Sequence, residues 1–241
     1  MKKIIVSASV LFSIAFLVHA QEGLTPFNIH HYGSFKKIVQ TGMLGGVIGL
    51  EHALDGPHTY AVGEIKNAEG EITVYDGEVW LNYGKNGITT SISQIPKGEE
   101  AMQLVSAEVE KWQEIVIPKN MSERELHDFI LERATKLGLN TKMIFPFLIE
   151  GEMKDLVWHV LNGADFSKTP GGLQLFFVKL VEYTERTSAT LVGFCSTDMR
   201  NEISSPGQLW HVHVLLNNEK ITGHIDAFSV LKGSKLRLPI K

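Results

Sequence analysis

The chain has 241 residues, of which 44% are hydrophobic and 21% charged, with a net charge of −4 at neutral pH and a single cysteine. This balance fits one large globular domain or two small ones packed together, and it excludes collagen-like and disordered classes. No run of five or more basic residues occurs, which argues against nucleic acid as a partner, and the lone Cys195 excludes an intramolecular disulfide and a cysteine zinc cluster, so His, Asp or Glu must hold any metal.

Residues 1–20 open with Lys2-Lys3, continue as an apolar stretch from Ile4 to Val18, and end on Ala20. That is the pattern of a secretory signal cleaved before Gln21. The apolar stretch is ~15 residues, short of the roughly 20 that a spanning helix needs, and Ser7, Ser9 and Ser13 dilute it. The expected product is an exported protein, periplasmic or secreted, with no membrane segment in the mature chain.

Residues 42–56 are glycine-rich, but Gly45, Gly46 and Gly49 match neither a dinucleotide fingerprint nor a P-loop and read as turns and close packing. His30, His31, His52 and His58 lie nearby without ligand spacing and read as structural or exposed. Strands are expected at Glu71 to Tyr75, at Glu78 to Tyr83 after an Asp76-Gly77 turn, and at Ile88 to Ile95; residues 103–117 alternate again. Ser122 and Glu125 form a capping box that opens a helix over 122–137, with Leu126, Phe129, Ile130, Ala134 and Leu137 on one face and Gly138 as the stop. From Phe145 onward the candidate strands are Glu152 to Leu161, Gly172 to Glu182, Ala189 to Cys195, Leu209 to Leu216 and Ile221 to Leu231. The expected fold is α+β and strand-rich, a single domain over 21–241. Mixed or antiparallel sheets form two intimately joined subdomains, about 21–144 and 145–241, the second barrel-like.

His211-Val212-His213 is the most informative tripeptide. On a strand, residues i and i+2 share a face, so both imidazoles project together. A turn near Asn217 to Lys220 brings back a strand carrying His224. A two-residue loop at Asn218-Glu219 sets 213 opposite 224; one at Asn217-Asn218 sets 211 opposite 224. Either register gathers three imidazoles on one hairpin face, with directly opposite Cβ atoms ~5 Å apart. Three neutral imidazoles suit zinc and leave a position open.

Leu191-Val-Gly-Phe194, Ser196, Pro206-Gly207, Trp210-His-Val-His213 and Gly223-His-Ile-Asp226 together resemble the C-terminal signature of the α-acetolactate decarboxylase family, in which an aromatic residue precedes HxH and a Gly-His-hydrophobic-Asp follows at the same spacing. Gly63 to Gly77 and Ile149-Glu-Gly151 resemble two further family blocks. The resemblance implies zinc held by His211, His213, His224 and Glu71, conversion of 2-acetolactate to acetoin and carbon dioxide, and a homodimer. The metal would serve as a Lewis acid stabilising an enediolate. The chain departs from the pattern at several places. Glu64-Ile65 replaces the family's Thr-Phe, Leu148 and His159 stand where the family has arginines, and no acid follows Asp226 where the family has a late glutamate. His159 is therefore the candidate for part of the carboxylate-binding or proton role, with Glu71 as the second catalytic candidate. The alternatives are a relative acting on another small hydroxy-keto acid, or a non-catalytic binding protein with a structural metal.

Overall fold

The computed structural model describes residues 27–54, 56–169, 172–216 and 219–240. The expected export signal and the Asn217-Asn218 turn lie outside these residues. In chain order the elements are β1 (Asn28–Tyr32), α1 (Phe35–Thr41), β2 (Ile48–Gly49), α2 (Leu50–Ala53), β3 (Thr59–Ile65), β4 (Gly70–Tyr75), β5 (Glu78–Tyr83), β6 (Ser91–Ile92), β7 (Glu100–Glu108), β8 (Trp112–Val116), β9 (Met121–Ser122), α3 (Glu123–Lys136), β10 (Phe145–Thr169), β11 (Gly172–Cys195), α4 (Arg200–Ile203), β12 (His211–Leu216), β13 (Ile221–Val230) and β14 (Lys235–Pro239). Among the described residues, no helix is long and apolar enough to cross a membrane.

Two antiparallel sheets result. The first runs β1-β7-β3-β4-β5-β6, with β2 also on β7; the second runs β8-β14-β10-β11-β12-β13-β9. β10 also pairs with β13, so β10, β11, β12 and β13 close into a ring. This is the α+β, strand-rich architecture expected, with the barrel-like part in the C-terminal half. The chain passes from one sheet to the other between Glu108 and Trp112, and β8 and β9 belong to the second sheet.

Local sequence explains most elements. Asp76 and Gly77 both adopt positive φ, 50° and 81°, the geometry a two-residue hairpin turn requires between β4 and β5. Ser122 and Glu125 form the expected capping box, and Leu126, Phe129, Ile130 and Ala134 bury the inner face of α3 against the second sheet, whereas Leu137, expected on that face, is the C-cap and stays exposed because the helix ends at Lys136. Three expectations change. Ile88 to Ile95 contributes only Ser91–Ile92, because β6 is an edge strand whose ladder to β5 covers just those two residues. The alternation over 103–117 is divided between β7 and β8, since the charged Glu110-Lys111 step carries the chain across between sheets. The strands expected as Glu152 to Leu161, Gly172 to Glu182 and Ala189 to Cys195 are parts of one long hairpin, in which β10 has 25 residues and β11 has 24. Its polar stretch Thr184 to Ser188 stays in the ladder with its side chains largely toward solvent.

The first sheet is sided by strict alternation. Ala61 and Ile65 on β3, Ile72 and Val74 on β4, and Leu81 and Tyr83 on β5 pack into a small core on the outer side. Tyr60 and Val62 join the large core shared with the ring. Glu64, Glu71, Thr73 and Asn82 continue that inner face, all buried. The sheet therefore presents polar groups to the ring at the point where β12 and β13 bring their histidines.

Candidate metal centre

β12 and β13 pair with His213 opposite His224, the first of the two registers considered above. His211, two residues before His213, shares its face, and the ligand atoms of all three rings lie within 4.8 Å of one another. His211 Nε2 and His213 Nε2 are 3.1 Å apart. The three rings are buried, with relative exposures of 0%, 0% and 5%. Burial pushes His211 down to about 3 and holds His213 and His224 well below the usual imidazole range. All three are neutral near pH 7, the state in which imidazole ligates a metal.

Hydrogen bonds fix one tautomer. Thr222 Oγ1 donates to the Val214 carbonyl at 2.9 Å, and Thr73 Oγ1 is bonded in turn to Thr222 Oγ1. A hydroxyl has one proton and a carbonyl only accepts. Thr73 must therefore donate to Thr222, and its oxygen accepts from His213 Nδ1, 2.9 Å away. His213 Nε2 is left with its lone pair facing His211. The Gln208 amide meets His224 Nε2 at 2.9 Å and steadies the third ring.

Glu71 arrives from β4, fully buried, with Oε1 accepting from the Leu161 N–H at 3.1 Å and Oε2 3.6 Å from His213 Nε2. Glu64 arrives from β3, with Oε1 3.3 Å from His211 Nε2. Each glutamate follows a glycine. A Cβ on Gly63 would lie 2.3 Å from the Gln103 carbonyl oxygen, and one on Gly70 would lie 2.2 Å from that of Asn82, so only glycine lets the neighbouring strands close around the two carboxylates. Burial raises both carboxyls above their usual range. Glu64 Oε2 and Glu71 Oε2 are buried without a hydrogen-bond partner. Neutral imidazoles beside orphaned carboxylate oxygens form a donor set that a divalent cation fits.

His159 also belongs to the cluster. It pairs with His224 across β10 and β13, and the ring centroids are 4.9 Å apart. Its Nδ1 donates to Asp226 Oδ2 at 2.7 Å, and Lys179 Nζ reaches Asp226 Oδ1 at 3.0 Å. Burial opposes the Asp226 charge, but His159 and Lys179 prevail and hold that carboxyl below its usual range. Burial in turn lowers His159 despite Asp226, so the ring is neutral near pH 7 and the fixed positive charge beside it is Lys179. Leu148 is buried in the apolar core and brings no charge.

All five expected site residues thus meet in one place. Sequence reasoning passed over Glu64 as a departure. His31 follows Ile29 on the inner face of β1, and its Nε2 is buried without a partner. The repeated Gly-Glu dipeptide, Gly63-Glu64 and Gly70-Glu71, is the signal that points to Glu64. His52 is exposed, and His58 pairs with Asp76 at 2.8 Å on the surface. A cleft of about 410 Å³ opens beside Tyr75, Trp80, Glu150 and Lys220, and another of about 660 Å³ beside Gly77, Ser93 and Lys220; no histidine lines either.

Fold and site together define an α+β protein with an internal histidine-carboxylate centre. The family model for alpha-acetolactate decarboxylase matches residues 29–239, and the chain belongs to that family. Alpha-acetolactate decarboxylase from Bacillus subtilis strain 168 has a similar structure, with a TM-score of 0.67 at 14% identity over 88% of this chain and 86% of that one. The acetolactate decarboxylase of Bacillus subtilis subspecies spizizenii gives 0.67 at 15% identity with the same coverage. A Staphylococcus aureus protein described as similar to alpha-acetolactate decarboxylase gives 0.64 at 14% identity, again over 88% and 86%. No curated protein sequence matches the chain. Family and fold indicate a decarboxylase-like lyase that acts on a small molecule.

Proposed function

We propose that this chain is an exported, zinc-dependent decarboxylase that converts 2-acetolactate to acetoin and carbon dioxide, working as a homodimer. The observation that carries the reading is the convergence of His211, His213, His224 and Glu71 inside the family fold. A bound divalent cation supplies a Lewis acid for the negative charge that builds up as carbon dioxide leaves. The chain's own residues do the rest. His211, His213 and His224 offer neutral nitrogen donors, with His213 held in the required tautomer by Thr73. Glu71 is anchored through Oε1 by Leu161 and keeps Oε2 free to bind. His159 has its Nδ1 proton committed to Asp226, which leaves Nε2 as the atom able to take and return a proton. Asp226 also binds Lys179, which places a positive charge on the other oxygen of that carboxylate.

One observation favours a second reading, a metal that only fastens the two sheets together. The donors are almost wholly buried, and the clefts described above do not reach them. Metal analysis coupled to acetoin and carbon dioxide assays on purified protein separates the two. One equivalent of zinc with decarboxylation of 2-acetolactate supports the enzyme. One equivalent of metal with no turnover of 2-acetolactate or related hydroxy-keto acids gives the fastening role the lead. Gel filtration of the same preparation tests the homodimer.

A further inference from the structure

Glu64 and Glu71 are directly opposite residues of the β3–β4 pair. Like charges placed so destabilise a strand pair, and burying a carboxylate without compensation is strongly unfavourable. Glu64 is 2% exposed and Glu71 0%. Among the described residues neither forms an ion pair with lysine or arginine; their near neighbours are His211 Nε2 and His213 Nε2. Each keeps one buried oxygen without a partner. Ligand atoms of Glu64, Glu71 and His224 lie within 4.8 Å of one another, as do those of His211, His213 and His224, so His224 is common to both groups.

We propose that Glu64 is a fifth protein ligand, completing with His211, His213, His224 and Glu71 a shell of three imidazoles and two carboxylates around one divalent ion. The inference rests on the metal centre proposed above and adds to it a residue outside the histidine motif. Two carboxylates balance the charge of a dication, which accounts for a pair that is otherwise without compensation. The second carboxylate comes from β3, directly opposite the first. Five protein donors also shift the preference from four-coordinate binding toward five- or six-coordinate ions.

The test is a cobalt(II) and zinc(II) titration of the full chain against a chromophoric chelator, with the visible spectrum of the cobalt form recorded for wild type, Glu64→Gln, Glu64→Asp and His213→Ala. Expected are one equivalent of ion in wild type, an affinity at least ~10-fold lower in Glu64→Gln, and stronger cobalt bands in that variant as the coordination number falls. Glu64→Asp keeps the charge but withdraws the carboxylate by a methylene, and the same loss is expected; it carries the test if Glu64→Gln does not fold by circular dichroism. Wild-type affinity together with a wild-type cobalt spectrum in the folded Glu64 variant overturns the inference. A wild-type chain that takes up no ion, or stoichiometric metal in His213→Ala, overturns the underlying metal centre instead.

Discussion

His159 and Asp226 are joined across the β10–β13 side of the ring by a 2.7 Å hydrogen bond, and the carboxylate is shared with Lys179. The contact fixes both the orientation and the tautomer of the imidazole. Asp226→Asn is expected to keep the metal and lower turnover of 2-acetolactate by ~10- to 100-fold, as loss of an orienting partner does elsewhere. Steady-state rates beside metal content check it. An unchanged rate in the metal-loaded variant would remove His159 from the mechanism.

Thr73→Val removes the acceptor for His213 Nδ1–H while keeping shape. The ring is then free to take the other tautomer, which points a proton at the ion. Metal affinity is expected to fall by ~10- to 100-fold with little change in secondary structure. Chelator competition measures the loss.

Gly70→Ala touches no ligand, yet its Cβ would meet the Asn82 carbonyl oxygen at 2.2 Å and Tyr83 Cα at 2.9 Å. β4 and β5 must part, and Glu71 next to it moves. A stability loss of about 1–3 kcal/mol is expected, accompanied by weaker metal binding. Urea unfolding and metal titration should move together.

The cap of α3 gives a pH-dependent prediction. Lys119, then the Ser122 backbone and hydroxyl, lower Glu125 from its ordinary 4.5 to about 2. A carboxyl depressed on folding stabilises the folded state above its unfolded value, and the contribution is lost as pH falls from about 4.5 toward 2. Glu125→Gln should therefore flatten the acid limb of the stability profile in that window. Ser122→Ala should cost about 1 kcal/mol at neutral pH. Thermal unfolding from pH 7 to pH 3 distinguishes these outcomes.

For export, the mature protein from the native host should begin at Gln21. Intact-mass measurement decides, and a form in the cytoplasm that begins at Met1 would reject processing.

Much of this is legible in the amino-acid sequence alone. The histidine hairpin was readable because HxH on a strand and a matched return strand are local, and His213 does face His224. The capping box of α3 was readable for the same reason. Glu64 was not, since its meaning depends on β3 lying against a ring formed about 140 residues later, as the Thr73–His213 contact shows. Asp226 was visible as part of a motif, but its bond to His159 depends on β10 closing on β13, a pairing no local pattern announces. The long hairpin was hidden because Thr184 to Ser188 is polar, and polar residues on the solvent face of a strand look like a loop in sequence.

The separation between Thr73 and His213 also has a consequence for how the chain acquires its structure. The β3–β4 and β12–β13 hairpins are each local and can form early, but the face each presents to the other holds carboxylates or imidazoles amid apolar neighbours. Until the two meet, those ionisable groups are in water, where they are well solvated. Their presence makes each half-formed sheet a poorer template for aggregation than an unbroken apolar face would be. Docking removes all of them from water together, so their desolvation cost falls on the contact between the two sheets and not on either hairpin alone.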